Sequence, residues 1–287
     1  LRAIFKFAKA SGYVQKIPHI PVNASRSPNT TKRGFMSDDQ YSAIRDALIN
    51  ATRRKNDGSH LVIGEGENSR IDPRSFWSLS RLRFTFMLCC NTGLRVQEAQ
   101  RLRWKMISRP FINGHYRTQI SVAQSIAKKK KTNGVVEGEA RTVYSFDRDA
   151  TYLRIVDDWG KNLSQNYPDP EGLIFPRYNH PDQMTRQHRA FRNFLEKMDE
   201  DAREAIKNGT ATENQKKAPV VSVDSFGNRI SLTSARHYFV TKRLEQGVSP
   251  QTVAKNAGHS LKTLDRVYSH INMRTLVDEM TWDGFKE

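Results

Sequence analysis

The stretch from Leu79 to Cys90 constrains this chain most. Leu79, Leu82, Phe86 and Cys89 fall at i, i+3, i+7 and i+10, the period of a helix that buries a whole face. Asn91-Thr92-Gly93 cuts the run, and a short helix through Glu98 to Leu102 is predicted after it. A helix this apolar has to be a core element, so the flanking segments must supply its partners. Upstream, Ser37 with Gln40 forms a capping box ahead of Tyr41, Ile44 and Leu48 at helical spacing. Between Trp104 and Phe146 the texture changes to strands. Asn113-Gly114 signals a hairpin, Ile120 and Val122 alternate, a lysine-rich turn comes next, and Val143 lies on a return strand. Helical spacing returns at Tyr152, Ile155, Val156 and Trp159, and again at Phe191, Phe194, Leu195 and Met198. Residues 199–230 read as a polar loop or insertion. Three short helices near 234–246, 250–257 and 261–270 close the chain, the second between a Ser249-Pro250 start and a Gly258 stop. The pattern predicts a mainly α fold with a small antiparallel β-sheet, an α+β domain.

Charge narrows the partners. The 47 Lys and Arg against 30 Asp and Glu give a formal net charge of +17, which fits a polyanion, because neutralising phosphates releases condensed counterions. Basic RNA-binding and membrane-surface proteins share such a surplus, with nucleic acid favoured. Cys89 and Cys90 are the only cysteines; too few for a four-ligand zinc site, they read as core thiols of a reducing cytoplasmic compartment. No metal is expected, no run is long and apolar enough for a bilayer, and no signal peptide is visible. Beginning at Leu1 rather than Met, the chain is expected to lack an upstream part.

From residue 1 to 37 there is no acidic side chain. Ile4, Phe5, Phe7 and Ala8 place the last helix of a truncated domain in residues 1–16. Residues 17–36 carry Pro18, Pro21 and Pro28 and read as a basic linker, whose Arg26, Lys32 and Arg33 are candidates for tracking a DNA backbone. The main domain is expected over 37–272. The tail 273–287, with Leu276, Val277, Met280, Trp282 and Phe285, should bury either on a neighbouring subunit or on its own domain.

Three segments carry candidate chemistry: Thr92-Gly93-Leu94-Arg95-Val96-Gln97-Glu98, Ser234-Ala235-Arg236-His237, and Gly258-His259 with Tyr268 nine residues after the histidine. Exchange at a phosphodiester without a metal needs fixed cations around the phosphate, where negative charge accumulates. Arginine suits this because its planar fork donates parallel hydrogen bonds and keeps its proton. Arg95 also comes after a glycine turn at a helix start, where backbone N–H groups favour an anion. A tyrosine attacking phosphorus keeps the ester energy in a covalent link, so neither ATP nor a phosphate-binding Gly-Lys-Ser/Thr loop is needed.

Together the three segments, with Leu102 and Trp104 after the first and Tyr238 and Phe239 after the second, resemble the tyrosine recombinase (phage integrase) family over residues 35 to 272. The resemblance implies that family's catalytic-domain fold. It implies a site-specific DNA recombinase or integrase of a phage or mobile element, working without cofactor on duplex DNA as a homotetramer, with room for accessory DNA-bending proteins, associated with the bacterial nucleoid. Tyr268 would be the nucleophile forming a 3′-phosphotyrosyl link. Arg95 and Arg236 would hold the phosphate, His259 would either donate to a phosphate oxygen or act as a general acid with Lys131, and Glu98 would orient a neighbour. A lysine in the strand turn would protonate the leaving 5′-oxygen. Lys131 is chosen, with Lys128, Lys129 and Lys130 as DNA-tracking neighbours, and Arg141 serves only to mark the following strand. Thr233 stands where the family commonly has histidine, and either donates from its hydroxyl or caps the helix of Arg236. A type IB topoisomerase-like enzyme and a DNA-binding module with impaired catalysis are the rival readings.

Overall fold

The computed structural model describes residues 11, 13, 34–52, 73–126, 130–132, 135–137, 140–161, 167–176 and 183–265. The chain divides into two units, Leu1–Lys32 and Arg33–Glu287, and every element below lies in the second. Helix α1 (Asp38–Ala51) starts at the expected capping box: Ser37 Oγ accepts from Gln40 N at 3.1 Å and Gln40 Oε1 accepts from Ser37 N at 3.1 Å. The core helix is α2 (Pro73–Thr92), whose second half is buried on every face from Phe84 to Cys90. An ordinary surface helix shows a single apolar stripe; one buried all round is the centre of its domain. α1 and α7 (Leu232–Glu245) pack along it.

Gly93 ends α2 at φ 70°, a left-handed conformation open to glycine. It also lies against α7: a Cβ there would sit 2.5 Å from the Phe239 ring. The short helix α3 (Val96–Ala99) begins at once. The predicted strand region forms a three-stranded antiparallel sheet ordered β1 (Ile107–Ser108), β4 (Gln119–Val122) and β7 (Arg141–Tyr144), with Ile107, Ile120, Val122 and Val143 turned into the core. Between β1 and β4, strands β2 (Phe111–Ile112) and β3 (His115–Tyr116) form the hairpin expected at Asn113-Gly114, both turn residues having positive φ.

The lysine-rich segment differs from the expected simple turn. β5 (Lys130–Thr132) pairs with β6 (Val135–Glu137) in a separate hairpin, so Lys130 and Lys131 stand on a strand. Helix α4 (Ala150–Leu153) continues as a wider π-type helix over Arg154–Lys161, burying Trp159 completely.

A second difference concerns residues 199–230. Helix α5 (Gln183–Lys207) runs well past Met198, and α6 (Glu213–Lys217) stands behind a Thr212 cap. The polar composition hid this because a charged residue does the anchoring: Asp199, 6% exposed, accepts from Val221 N at 2.6 Å and ties the following loop to the helix. α8 (Pro250–Ala257) stands between the predicted Ser249 cap and left-handed Gly258. α7 lies between two apolar clusters, the main core and a smaller one formed with α8 and Leu264, which is where Arg236 is held. Among the described residues no helix is long and apolar enough to cross a membrane.

Candidate active site

The site is assembled from two tight turns, one helix and one strand end. The Gly93 turn brings Arg95 to the start of α3 in an extended conformation, with Glu98 one turn on. Glu98 is 1% exposed. Its Oε1 accepts from Arg95 Nη1 at 2.7 Å and its Oε2 from Arg95 N at 2.9 Å. The backbone N–H of Arg95, expected to face an anion, is therefore occupied by the chain's own carboxylate. Glu98 thus pairs with Arg95 three residues back from a buried position.

A residue that sequence reasoning treated only as a strand marker completes this unit. Arg141, first in β7, grips Glu98 with both fork nitrogens, Nη1 to Oε1 at 3.1 Å and Nη2 to Oε2 at 2.7 Å. Its Nε donates to Asn256 O at 3.1 Å. The guanidinium lies so close to Gly258 that a Cβ there would be 2.8 Å from Arg141 Cζ. Burial alone would push the Glu98 carboxyl up, but the Arg141 hydrogen bonds and charge, joined by the Arg95 amide and charge, hold it down at about 2. Glu98 is therefore a fixed anion with arginines as its hydrogen-bond donors, an arrangement for orienting cations rather than moving protons.

The second and third segments meet the first across these turns. Arg236, 4% exposed on α7, donates from Nη1 to Gly93 O at 2.7 Å and from Nε to His259 Nε2 at 3.1 Å. Arg95 Nη2 reaches Gly258 O at 2.6 Å. Each arginine thus spans to the turn carrying another candidate residue. His259 accepts from Arg236 and so carries its own proton on Nδ1. Burial, then the charges of Arg236 and Arg95, with His237 and Arg141 beyond, lower its imidazole to about 3, and it is neutral at ordinary pH. Among the described residues, two guanidinium groups here bond one carboxylate, and a third, that of Arg236, bonds the Gly93 turn and His259.

Neighbouring motif residues do structural work. The Tyr238 ring stacks on Tyr41 at 4.4 Å and its hydroxyl donates to Asp38 Oδ1 at 2.9 Å, joining α7 to α1. His237 meets the Phe35 ring edge-on at 5.5 Å. Thr233 is not the helix cap. Ser231 is, its backbone N–H donating to Ser234 Oγ at 3.1 Å, which leaves Thr233 half-buried in the first turn. Tyr268, Lys128, Lys129, Arg26, Lys32 and Arg33 lie outside the described residues, as do the side chains of Lys130 and Lys131 and the tail 273–287. Cys89 and Cys90 are buried, and burial pushes the Cys89 thiol up to about 12, so both are inert core thiols. Among the described residues no cluster of His, Cys, Asp and Glu has the makings of a metal site.

Arg141 left a faint trace in the sequence, a basic residue opening a strand that otherwise alternates. Nothing in the sequence marked Asn256.

This combination of a helical domain, a small antiparallel sheet and an arginine–histidine cluster is that of a tyrosine recombinase catalytic domain. Residues 74–275, well over half of the chain, match the phage integrase family, and the chain belongs to it. The fold is similar to XerH site-specific recombinase in a post-cleavage complex with palindromic difH substrate (TM-score 0.50, 15% identity). That match covers 98% of this chain and 64% of that one, so the chain spans less than two thirds of it. It is also similar to the Tn1549 transposon integrase in complex with circular intermediate DNA (TM-score 0.53, 15% identity, 97% and 75% covered). No curated protein matches the chain by sequence.

Proposed function

We propose that the chain is a site-specific recombinase that cuts and rejoins duplex DNA through a tyrosyl intermediate, using neither metal nor ATP. The observation that carries this is the convergence of Arg95, Arg236 and His259 from three distant segments on the Gly93 and Gly258 turns. Arg95 Nη1 is fixed on Glu98, but Arg95 Nη2 and the Arg236 guanidinium are held by two carbonyl oxygens and one imidazole nitrogen, neutral acceptors that a backbone phosphate, being anionic, would outcompete. DNA in the XerH and Tn1549 complexes supports duplex DNA as the partner.

In this reading Arg95 and Arg236 bind the non-bridging oxygens and neutral His259 donates an N–H to the same phosphate. Thr233 offers a hydroxyl at the edge of the site. The Tyr268 oxygen attacks phosphorus and loses its phenolic proton to solvent. The bond to the 5′-oxygen breaks, Lys131 protonates that oxygen, and the phosphate stays on the 3′-oxygen as a phosphotyrosine. A 5′-hydroxyl from the same or a partner strand reverses the step. Glu98 holds Arg95 and takes no proton. Lys128, Lys129 and Lys130, with Arg26, Lys32 and Arg33, track the flanking backbone. Four copies act together through residues 273–287, and DNA-bending proteins assist assembly.

A nicked suicide duplex mixed with the protein tests the reading. The wild type forms an SDS-stable adduct. Tyr268→Phe abolishes it while duplex binding is retained, since only one hydroxyl is removed. Tight binding with no wild-type adduct would instead assign a DNA-binding module, and relaxation of any plasmid by a monomer a type IB topoisomerase.

A further inference from the structure

Among the described residues β7 is an edge strand of its sheet, paired with β4 alone, and an edge strand presents backbone groups that must find partners elsewhere. At Tyr144 those partners come from one side chain on α8. Asn256 Oδ1 accepts from Tyr144 N at 2.8 Å, and Asn256 Nδ2 donates to Tyr144 O at 3.2 Å. These are the two bonds that a directly opposed residue of an antiparallel strand would exchange. The amide stands in for a fourth strand. The same Nδ2 also donates to Thr92 O at 3.0 Å, beside the Gly93 turn. At the other end of β7, Arg141 Nε donates to the main-chain oxygen of Asn256. Asn256 is therefore gripped by both ends of β7 and by the end of α2, two residues before Gly258 and three before His259.

Outside α8 the Gly258-His259 turn is held by Arg95 Nη2 on Gly258 O and by Arg236 Nε on His259 Nε2, bonds for which a bound phosphate would compete. Gly258 N closes on Lys255 O at 3.3 Å and His259 N on Ala254 O at 2.9 Å, both within the last turn of α8. The placement of His259 relative to Arg95 and Arg236 thus depends on where that turn docks. We infer that Asn256 is a positioning residue of the phosphate site, its side-chain amide docking the Gly258-His259 turn onto β7 and the Gly93 turn so that His259 faces Arg236. The inference rests on the phosphate-transfer reading of this site. The side chain must be an amide, because it both accepts from one N–H and donates to two carbonyls. Alanine loses all three bonds. Aspartate keeps the shape and the acceptor but points an oxygen at Thr92 O and Tyr144 O.

Two measurements on Asn256→Ala and Asn256→Asp test this: single-turnover cleavage of the suicide duplex at saturating protein, and the titration of the His259 imidazole by NMR in the DNA-free protein. Misplacing a catalytic group by about an ångström costs on the order of 10²-fold in rate. Both variants should cleave slower by up to that factor with unchanged duplex affinity. Around His259 stand Arg95 and Glu98 from the Gly93 turn and α3, Arg236 and His237 from α7, and Arg141 from β7. Once the turn shifts from them, the His259 midpoint should rise from about 3 toward its ordinary 6.5. A far-UV spectrum matching wild type establishes folding, and the isosteric aspartate serves if alanine unfolds. Wild-type cleavage in both variants, or an unmoved His259 midpoint even with slower cleavage, would overturn the inference. If the wild type itself makes no adduct, the catalytic reading fails and the His259 titration alone judges the clamp.

Discussion

Two carboxylates flank β7, and their surroundings differ in kind. Glu98, at the start of the strand, is 1% exposed and is held by the guanidiniums of Arg95 and Arg141. Asp147, three residues past the strand's end, accepts from Asn91 Nδ2 at 3.2 Å, Ser145 Oγ at 2.7 Å, Thr151 Oγ1 at 2.9 Å and Arg154 Nη1 at 2.7 Å. Glu98 ties Arg95 to β7, Asp147 ties the end of α2 to α4, and both are densely bonded. Around Asp147 the charges balance and neutral donors do most of the work, so the network is complete without a ligand. Around Glu98 the cations outnumber the anion. Like charges crowded at low exposure are costly, and in the proposed reading the incoming phosphate relieves that cost. Excess charge, more than bond count, separates the site from the scaffold.

The largest effect that would sharpen this contrast is Arg95→Ala. Glu98 keeps Arg141, so the fold should survive, while cleavage of the suicide duplex should fall about 10²–10³-fold, as on removing one preorganised donor to a developing oxyanion. A rate near wild type would put the phosphate somewhere other than the Gly93 turn.

Acid should expose the Glu98 side of the molecule next. The carboxyl is held at about 2 against an ordinary 4.5, so its stabilisation is complete above 4.5 and is lost as pH falls toward 2. His259 is lowered to about 3 from 6.5; below 6.5 the unfolded chain takes up a proton that the folded one refuses, and stability drops until about pH 3. Denaturation midpoints should therefore fall continuously from pH 6.5 down to 2, and His259→Gln should flatten the upper part of that slope. Inorganic phosphate, seated among the arginines, should flatten it as well by favouring the imidazolium. An upper slope unchanged in the variant would mean that His259 is not held neutral by its neighbours.

The smallest effect should come from the other network. Asp147→Asn replaces a charged acceptor by an amide that cannot accept from all four donors, costing about 1–3 kcal/mol in chemical denaturation. Its cleavage rate should match wild type. A large loss of rate there would break the distinction between the two carboxylates.

Much of this architecture comes from local signals. Ser37 with Gln40, Asn113-Gly114, Ser249-Pro250 and Gly258 mark ends and turns whose energies are fixed within a few residues, and each is used as expected. Local signals misled where a polar residue took a buried role. α5 outruns its apolar stripe because Asp199 is an interior acceptor for Val221 N, and Ser231 rather than Thr233 caps α7.

The sequence by itself determined the helical core, the small sheet and the order of the segments bearing Arg95, Arg236 and His259, because periodicity and caps act between near neighbours along the chain. Tertiary structure alone decided that Glu98 is buried, that Arg141 reaches it from 43 residues away, and that Asn256 completes the edge of β7 from 112 residues away. The energy of a buried charge or of an unpaired edge depends on which groups approach through space, and distance along the chain carries no record of that.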